Sequence, residues 1–208
     1  MKVVVITCEA YRDAWLPFSK LFDRFWPDCP FELAWWSDEG KNKNWAAVLH
    51  EHTMREIEPF LLMQEDFFLS APVRTDLVQA GLDEMFRMQA GGVRLYPCPG
   101  ADEDYGHPYF GYVSRRASYR ISCQATIWNP RYVAKIAQTV RTPSEFEIAG
   151  TIRSLNLVAP ILAFKREVEP WPMHYLCSAI SRGKWNPDAQ RLCQRYGIEV
   201  DWTQRPVA

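Results

Sequence analysis

The stretch FLLMQEDFFLSAPVRTD, residues 60 to 76, sets two adjacent carboxylates, Glu65 and Asp66, at the end of an apolar run that resumes at once with two phenylalanines. Neighbouring acids repel one another and are costly to desolvate, so they need a cation, hydrogen-bond donors or water. A divalent metal is one answer. A hard ion such as Mg²⁺ or Mn²⁺ takes one or two protein carboxylates and completes its shell with phosphate oxygens and water. An acidic step at a strand tip is therefore a candidate place to hold a metal-bound nucleotide diphosphate.

The elements that would position these acids precede them. Residues 2 to 7, KVVVIT, are continuously apolar and β-branched up to the threonine, the pattern of a parallel strand covered on both faces. Residues 13 to 25 place Trp15, Phe18, Leu21, Phe22 and Phe25 at spacings of three and four, a helical stripe that tolerates Pro17 near its start. FELAWWSDE at 31 to 39 reads as a second strand, GKNKN at 40 to 44 as a loop, 45 to 57 as a helix and PFLLM at 59 to 63 as a third strand. This β-α-β-α-β alternation predicts an α/β fold, a Rossmann-like mixed and mostly parallel sheet flanked by helices. Ligands then belong at the carboxyl ends of the strands, where Thr7-Cys8, Ser37-Asp38 and Gln64-Glu65-Asp66 collect on one edge.

Further along, residues 76 to 90 form another helical stripe with Gly91-Gly92 as its expected C-cap. The segment 97 to 119 has little periodicity and much Pro, Gly and Tyr, which suits a functional or mobile loop and makes it a candidate lid. RISCQATIW at 120 to 128 returns to strand character, 144 to 155 looks helical, and a short strand, a turn at Gly183 and a helix near 187 to 196 close the chain. In TPSEFEIAG, Ser144 followed by Glu147 has capping-box spacing, which leaves Glu145 in the first turn without a local duty.

Composition narrows the class. With 208 residues, 48% of them apolar, the chain can bury a real core, and we expect one domain spanning 1–208. A net charge of −1 supplies no overall field for nucleic acid or an anionic membrane, so any anion must be bound locally. The six cysteines show no CxxC spacing and read as reduced thiols. The first apolar run is too short for a secretory signal, and LNLVAPILAF is about half a membrane span and contains Pro160. The expectation is a soluble, cytoplasmic protein, with peripheral association with a membrane assembly left open. No P-loop, GxGxxG or GxSxG occurs. His50 and His52 are two apart and point to different faces of a helix.

Four stretches in order, MQEDFFL (63 to 69), YRISCQATIWNP (119 to 130), TPSEFEIAGTI (142 to 152) and AISRGKWNPDA (179 to 189), resemble a family of small bacterial glycosyltransferase-like proteins with the GT-A fold, associated with surface polysaccharides. The resemblance spans nearly the whole chain. It implies a nucleotide-sugar donor, a glycan or other polysaccharide acceptor, and a divalent metal (Mn²⁺ or Mg²⁺) on an Asp-x-Asp step. Asp66 matches the second acid of that step, and Gln64 stands where the first would be. By the same resemblance Glu65, Asp66 and the late His174 are metal candidates. Thr7, Tyr11 and Asp38 fall where this fold type holds base and ribose, and Trp36 is a candidate to stack on the base. An inverting transferase needs a carboxylate to take the acceptor's proton. Relatives often place it at a helix start, so Glu145 is the first choice and Glu147 the second. Arg182 and Lys184, around Gly183, are candidates to neutralise the leaving diphosphate.

Two other readings follow from the same residues. A catalytically silent glycan- or nucleotide-binding scaffold fits the incomplete acidic step and the nine tryptophans. A nucleotidyltransferase is disfavoured because no Gly-rich basic loop follows the first strand.

Overall fold

The computed structural model describes residues 1–38 and 44–208. Strand β1 (Lys2–Ile6) buries Val3, Val4, Val5 and Ile6 completely, as its uninterrupted apolar run requires. A 3-10 turn over Glu9–Ala14 leads into α1 (Trp15–Phe25), which buries Phe18, Leu21, Phe22 and Phe25 on the predicted stripe. Then come β2 (Glu32–Trp36), α2 (Trp45–Thr53) and β3 (Phe60–Gln64). β1 pairs in parallel with β2 on one side and β3 on the other, so the predicted alternation holds. The expected loop at 40 to 43 lies outside the described residues. Asn44, its last residue, is the N-cap of α2, its side-chain oxygen accepting from Ala47 N at 2.9 Å.

Beyond β3 the elements are β4 (Phe68–Leu69), α3 (Thr75–Met88), β5 (Gly92–Arg94), β6 (Phe110–Tyr112), β7 (Thr126–Trp128), α4 (Pro130–Ile136), α5 (Pro143–Ser154), β8 (Ile161–Phe164), β9 (Tyr175–Leu176), β10 (Ile180–Ser181), β11 (Lys184–Trp185) and α6 (Pro187–Arg195). The main sheet runs β2-β1-β3-β7-β5-β8-β6. β7 is antiparallel to both β3 and β5, β5 and β8 are parallel, and β6 is antiparallel at the edge. This is the mixed, mostly parallel, GT-A-like architecture expected. Alternate residues feed two cores. Val3, Val5, Leu61 and Met63 face one side with α1 and α3, while Val4, Ile6, Phe60 and Leu62 face the other with α2, α4 and α5.

Several local expectations change. The C-cap of α3 is Gln89, in the left-handed region at φ 49, with Ala90 N–H bonded back to the Met85 carbonyl at 2.9 Å. Gly91 and Gly92 instead serve close packing. A Cβ at Gly91 would lie 2.3 Å from the Tyr132 ring, and one at Gly92 would lie 2.6 Å from the Trp128 ring. The strand expected over 120 to 128 forms only at Thr126–Trp128. The run LNLVAPILAF, a membrane candidate by composition, supplies β8 inside the sheet.

The 97 to 119 segment is no free lid. It contributes β6 to the sheet and bridges Glu103 to Tyr112. Buried Arg94 donates to the Pro99 carbonyl (2.6 Å) at its start and to the Tyr119 (3.2 Å) and Arg120 (2.8 Å) carbonyls at its end. Midway, Tyr105 hydroxyl donates to Glu84 Oε1 at 2.5 Å, and Arg87 grips the same carboxylate. All six cysteines are free. Among the described residues no helix is long and apolar enough to cross a membrane.

Candidate functional site

β1 and β3 run side by side in parallel, so their carboxyl ends deliver Thr7-Cys8 and Gln64-Glu65-Asp66 to one edge. There they wall a cavity of about 470 Å³, closed by Tyr11 from the 3-10 turn, Asn44 and Trp45 from the start of α2, Pro143 from the start of α5, and Ser178 and Ile180 beside β10. The cleft the two acids face therefore also receives the N-terminus of α5.

The acids are almost fully withdrawn from bulk water: Glu65 is 7% exposed and Asp66 9%. Burial, with repulsion from Asp66, pushes the Glu65 carboxyl up to about 8. Burial raises Asp66 to about 6, opposed by the hydrogen bond from Ser178. Asp66 is well held. Its Oδ2 lies 2.9 Å from Ser178 Oγ, and its carbonyl accepts from Ala179 N at 2.8 Å. Glu65 has no such side-chain partner among the described residues; a backbone hydrogen bond and the charge of Arg205 favour its ionised form against burial.

Thr7 sits in the wall with its hydroxyl accepting the Trp15 indole N–H at 2.7 Å. Tyr11 is backed by Arg205, whose guanidinium lies 4.8 Å from the ring centroid, grips Asp13 (3.0 and 3.1 Å) and donates to the Ala10 carbonyl at 2.7 Å. Burial and the charge of Glu65 raise the Tyr11 phenol, so it stays protonated as a donor. Asp38, buried two residues beyond β2, has its Oδ1 3.4 Å from the Glu9 amide N and is not among the residues walling the cavity.

Other predicted residues lie elsewhere. Trp36 is 4% exposed and packs into the core between His52 (5.0 Å, stacked) and Phe60 (4.9 Å), because the alternation of β2 turns it inward, so it presents no face to a base. The cap of α5 begins two residues earlier than expected, because Pro143 takes the first helical position. Thr142 Oγ1 accepts from Glu145 N (3.1 Å), and Glu145 Oε2 accepts from Arg141 N (2.7 Å). Glu145 thus has the local duty assigned to Glu147, and it is exposed and absent from the cavity wall. Glu147 Oε1 accepts from Ser122 Oγ (3.1 Å) and Cys123 N (2.8 Å), tying α5 to the approach of β7.

Arg182, at φ 51, and Gly183, at φ 75, form the tight turn between β10 and β11. Arg182 and Lys184 are exposed on that hairpin, which reaches the cavity through Ser178 and Ile180 instead. His174 stacks on Trp171 (5.2 Å), faces Glu169 at 3.7 Å and is not in the cavity wall. Among the described residues no three His, Cys, Asp or Glu side chains converge as a metal-binding group. The donor set at the cavity is the Glu65-Asp66 pair.

Sequence reasoning missed Trp45 and Ser178. Trp45 follows the predicted loop directly, and its indole Nε1 is buried without a hydrogen-bond partner. Nothing in the sequence around Ser178 marks it as the companion of Asp66.

The fold and the site define a Rossmann-like, GT-A-like α/β protein with a ligand cavity at the carboxyl edge of its parallel strands. No protein-family model and no curated protein matches the sequence. Among solved structures it is similar in fold to apo UDP-glucose pyrophosphorylase, at 9% identity and a TM-score of 0.50 over 94% of this chain and 81% of that one. The structure of S. aureus TarS 1-349 aligns at 9% identity and a TM-score of 0.49 over 98% of this chain and 68% of that one.

Proposed function

We propose that this chain transfers a sugar from a nucleotide-sugar donor to a glycan or surface-polysaccharide acceptor, with the donor diphosphate at Glu65 and Asp66. One observation carries the reading: a buried acidic pair ends the third parallel strand and opens into a cavity of about 470 Å³, within the usual size range of ligand pockets. The fold shared with UDP-glucose pyrophosphorylase, an enzyme whose name specifies a nucleotide sugar, agrees with it.

A Mg²⁺ or Mn²⁺ ion would be held through Asp66, a hard oxygen ligand at the cavity wall, with phosphate oxygens and water completing its shell. Such an ion would neutralise charge on the leaving diphosphate. Asp66, held by Ser178, is the anchor in this reading. Glu65, in its ionised form, is the proton acceptor for the attacking hydroxyl, because it lines the cavity, whereas Glu145 and Glu147 are committed to backbone amides. Thr7 and Tyr11 line the donor side.

The test is transfer assayed with Glu65→Gln and Glu145→Gln side by side, together with calorimetry of uridine, guanosine and cytidine diphosphates with and without Mn²⁺. Glu65→Gln should abolish transfer and retain nucleotide affinity within about threefold. Loss confined to Glu145→Gln would return the base to the start of α5. A second reading, a binding protein without turnover, is favoured by one fact: no Lys or Arg is among the described residues walling the cavity. Nucleotide binding without any transfer would establish it.

A further inference from the structure

Helix α5 buries Phe146, Gly150 and Ser154 and turns the opposite face outward. On that face Ile148 (59% exposed), Ile152 (62%) and Leu155 (45%) recur at helical spacing, and Val158 (92%) extends the strip past the helix end. Ile148, Ile152 and Leu155 line one face of the helix, with exposed Val158 beyond its end, an apolar strip of the kind that marks an interaction site. The strip has charge of opposite sign at its two ends. At the N-terminal end stands exposed Glu145, leaning back toward Arg141 N, with one carboxylate oxygen bonded there and the other carrying no hydrogen bond among the described residues. At the C-terminal end stands exposed Arg115, whose guanidinium donates to the Leu155 (2.6 Å) and Leu157 (3.0 Å) carbonyls. Arg115 forms no ion pair with a described carboxylate, and each of those nitrogens retains a second N–H.

This arrangement is self-complementary under a two-fold axis. Packing α5 antiparallel to a second α5, with the axis between Ile148 and Ile152, sets Ile148 of one copy against Ile152 of the other. It also brings Glu145 of one copy level with Leu155 of its partner. Because Glu145 leans toward its own N-terminus, its carboxylate then reaches the partner's Leu155–Leu157 turn, where Arg115 sits. Both ends of the strip make this pair at once, and each helix N-terminus meets the other's C-terminus.

We propose that the α5 face is the interface of a homodimer, with Ile148 and Ile152 at its centre and two Glu145–Arg115 ion pairs at its ends. Four side chains fall well short of the about 800 Å² per partner that a standard interface buries, so the dimer is concentration-dependent.

Sedimentation of the full chain from micromolar to about millimolar concentration tests this, with circular dichroism confirming that each variant is folded. The natural chain should pass from monomer to dimer, and Ile152→Glu should weaken dimerisation about tenfold or more. Glu145→Arg and Arg115→Glu should each dimerise poorly alone, since each homodimer opposes like charges. Mixing the two should restore a dimer within about threefold of the natural affinity, because both end pairs then match. A natural chain that stays monomeric throughout overturns the proposal, including one that instead binds lipid vesicles through this face. A mixture no tighter than its components also overturns it. Should Arg115→Glu unfold through loss of its carbonyl partners, Ile148→Glu and Ile152→Glu decide alone: dimerisation equal to the natural chain in both rejects the interface.

Discussion

Ser178 Oγ lies 2.9 Å from Asp66 Oδ2 and 2.5 Å from the Ile180 carbonyl oxygen. One hydroxyl proton cannot serve both acceptors. When Asp66 is ionised, Ser178 must choose between them; when Asp66 is protonated, it donates to Ser178 and Ser178 donates to Ile180. The geometry therefore accommodates either charge state of the anchor acid, and burial shifts the balance toward the neutral one.

Ser178→Ala should remove the hydrogen bond that favours the ionised form and leave Asp66 buried without it. The Asp66 carboxyl should titrate at higher pH than in the natural chain, as read by carbon NMR of the carboxyl group. Stability should fall by about 1–2 kcal/mol in urea titration. An unchanged Asp66 titration would show that Ser178 does not control its charge.

The two raised carboxyls give the ligand-free protein a pH signature. Glu65 at about 8 and Asp66 at about 6 both exceed their ordinary values of 4.5 and 3.8, so the folded state holds these protons more tightly than the unfolded chain does. Their contribution is complete below the ordinary values and is lost as pH rises through about 6 and then about 8. Melting temperature should decline from weakly acidic to weakly alkaline pH, and Glu65→Gln should remove the upper part of that decline. Parallel curves for the two proteins would contradict the burial of Glu65.

Gly91→Ala should be among the most damaging single-methyl changes in the chain. The added Cβ would meet the Tyr132 ring at 2.3 Å, and that ring is itself buried against the sheet. Overpacking of this kind costs about 1–3 kcal/mol, read as a lower urea midpoint at unchanged slope. Gly106→Ala, where an added Cβ meets nothing within 4 Å but φ is +86, should lose less, about 1 kcal/mol.

Arg94→Met should release both ends of the 97 to 119 segment, since Pro99, Tyr119 and Arg120 would lose their shared donor. A loss of about 2–4 kcal/mol is expected from unpaired buried carbonyls. Amide exchange should accelerate across 97 to 119 before the rest of the chain. Uniform acceleration would mean that Arg94 supports the sheet and not the segment.

Much of the frame is visible in the chain because it is written locally. KVVVI can only be a strand buried on both faces, and the spacing of Phe18, Leu21, Phe22 and Phe25 can only close a core as a helix. Their alternation with β2 and β3 places Glu65 and Asp66 at a carboxyl edge by chain order alone. The weak elements fail for the same reason. β5, β6 and β7 are three residues each, too short to show a period, and α4 spans two turns beginning at a proline. Thr142-Glu145 and Ser144-Glu147 share the capping-box spacing, and only Pro143 at the first helical position selects the first pair.

What the amino-acid order determined by itself was the pattern of buried faces and the address of the acidic pair, since both depend on side-chain spacing along one element. The partners were decided only in three dimensions. Ser178 meets Asp66 across 112 residues, Trp45 and Pro143 arrive from separate helices, Trp36 turns to the core, and Glu145 is taken up by its own helix cap. Sheet order and packing create these contacts. Antiparallel β7 sits between β3 and β5 although it is distant from both in sequence, and no periodicity within a strand encodes its neighbour across the sheet.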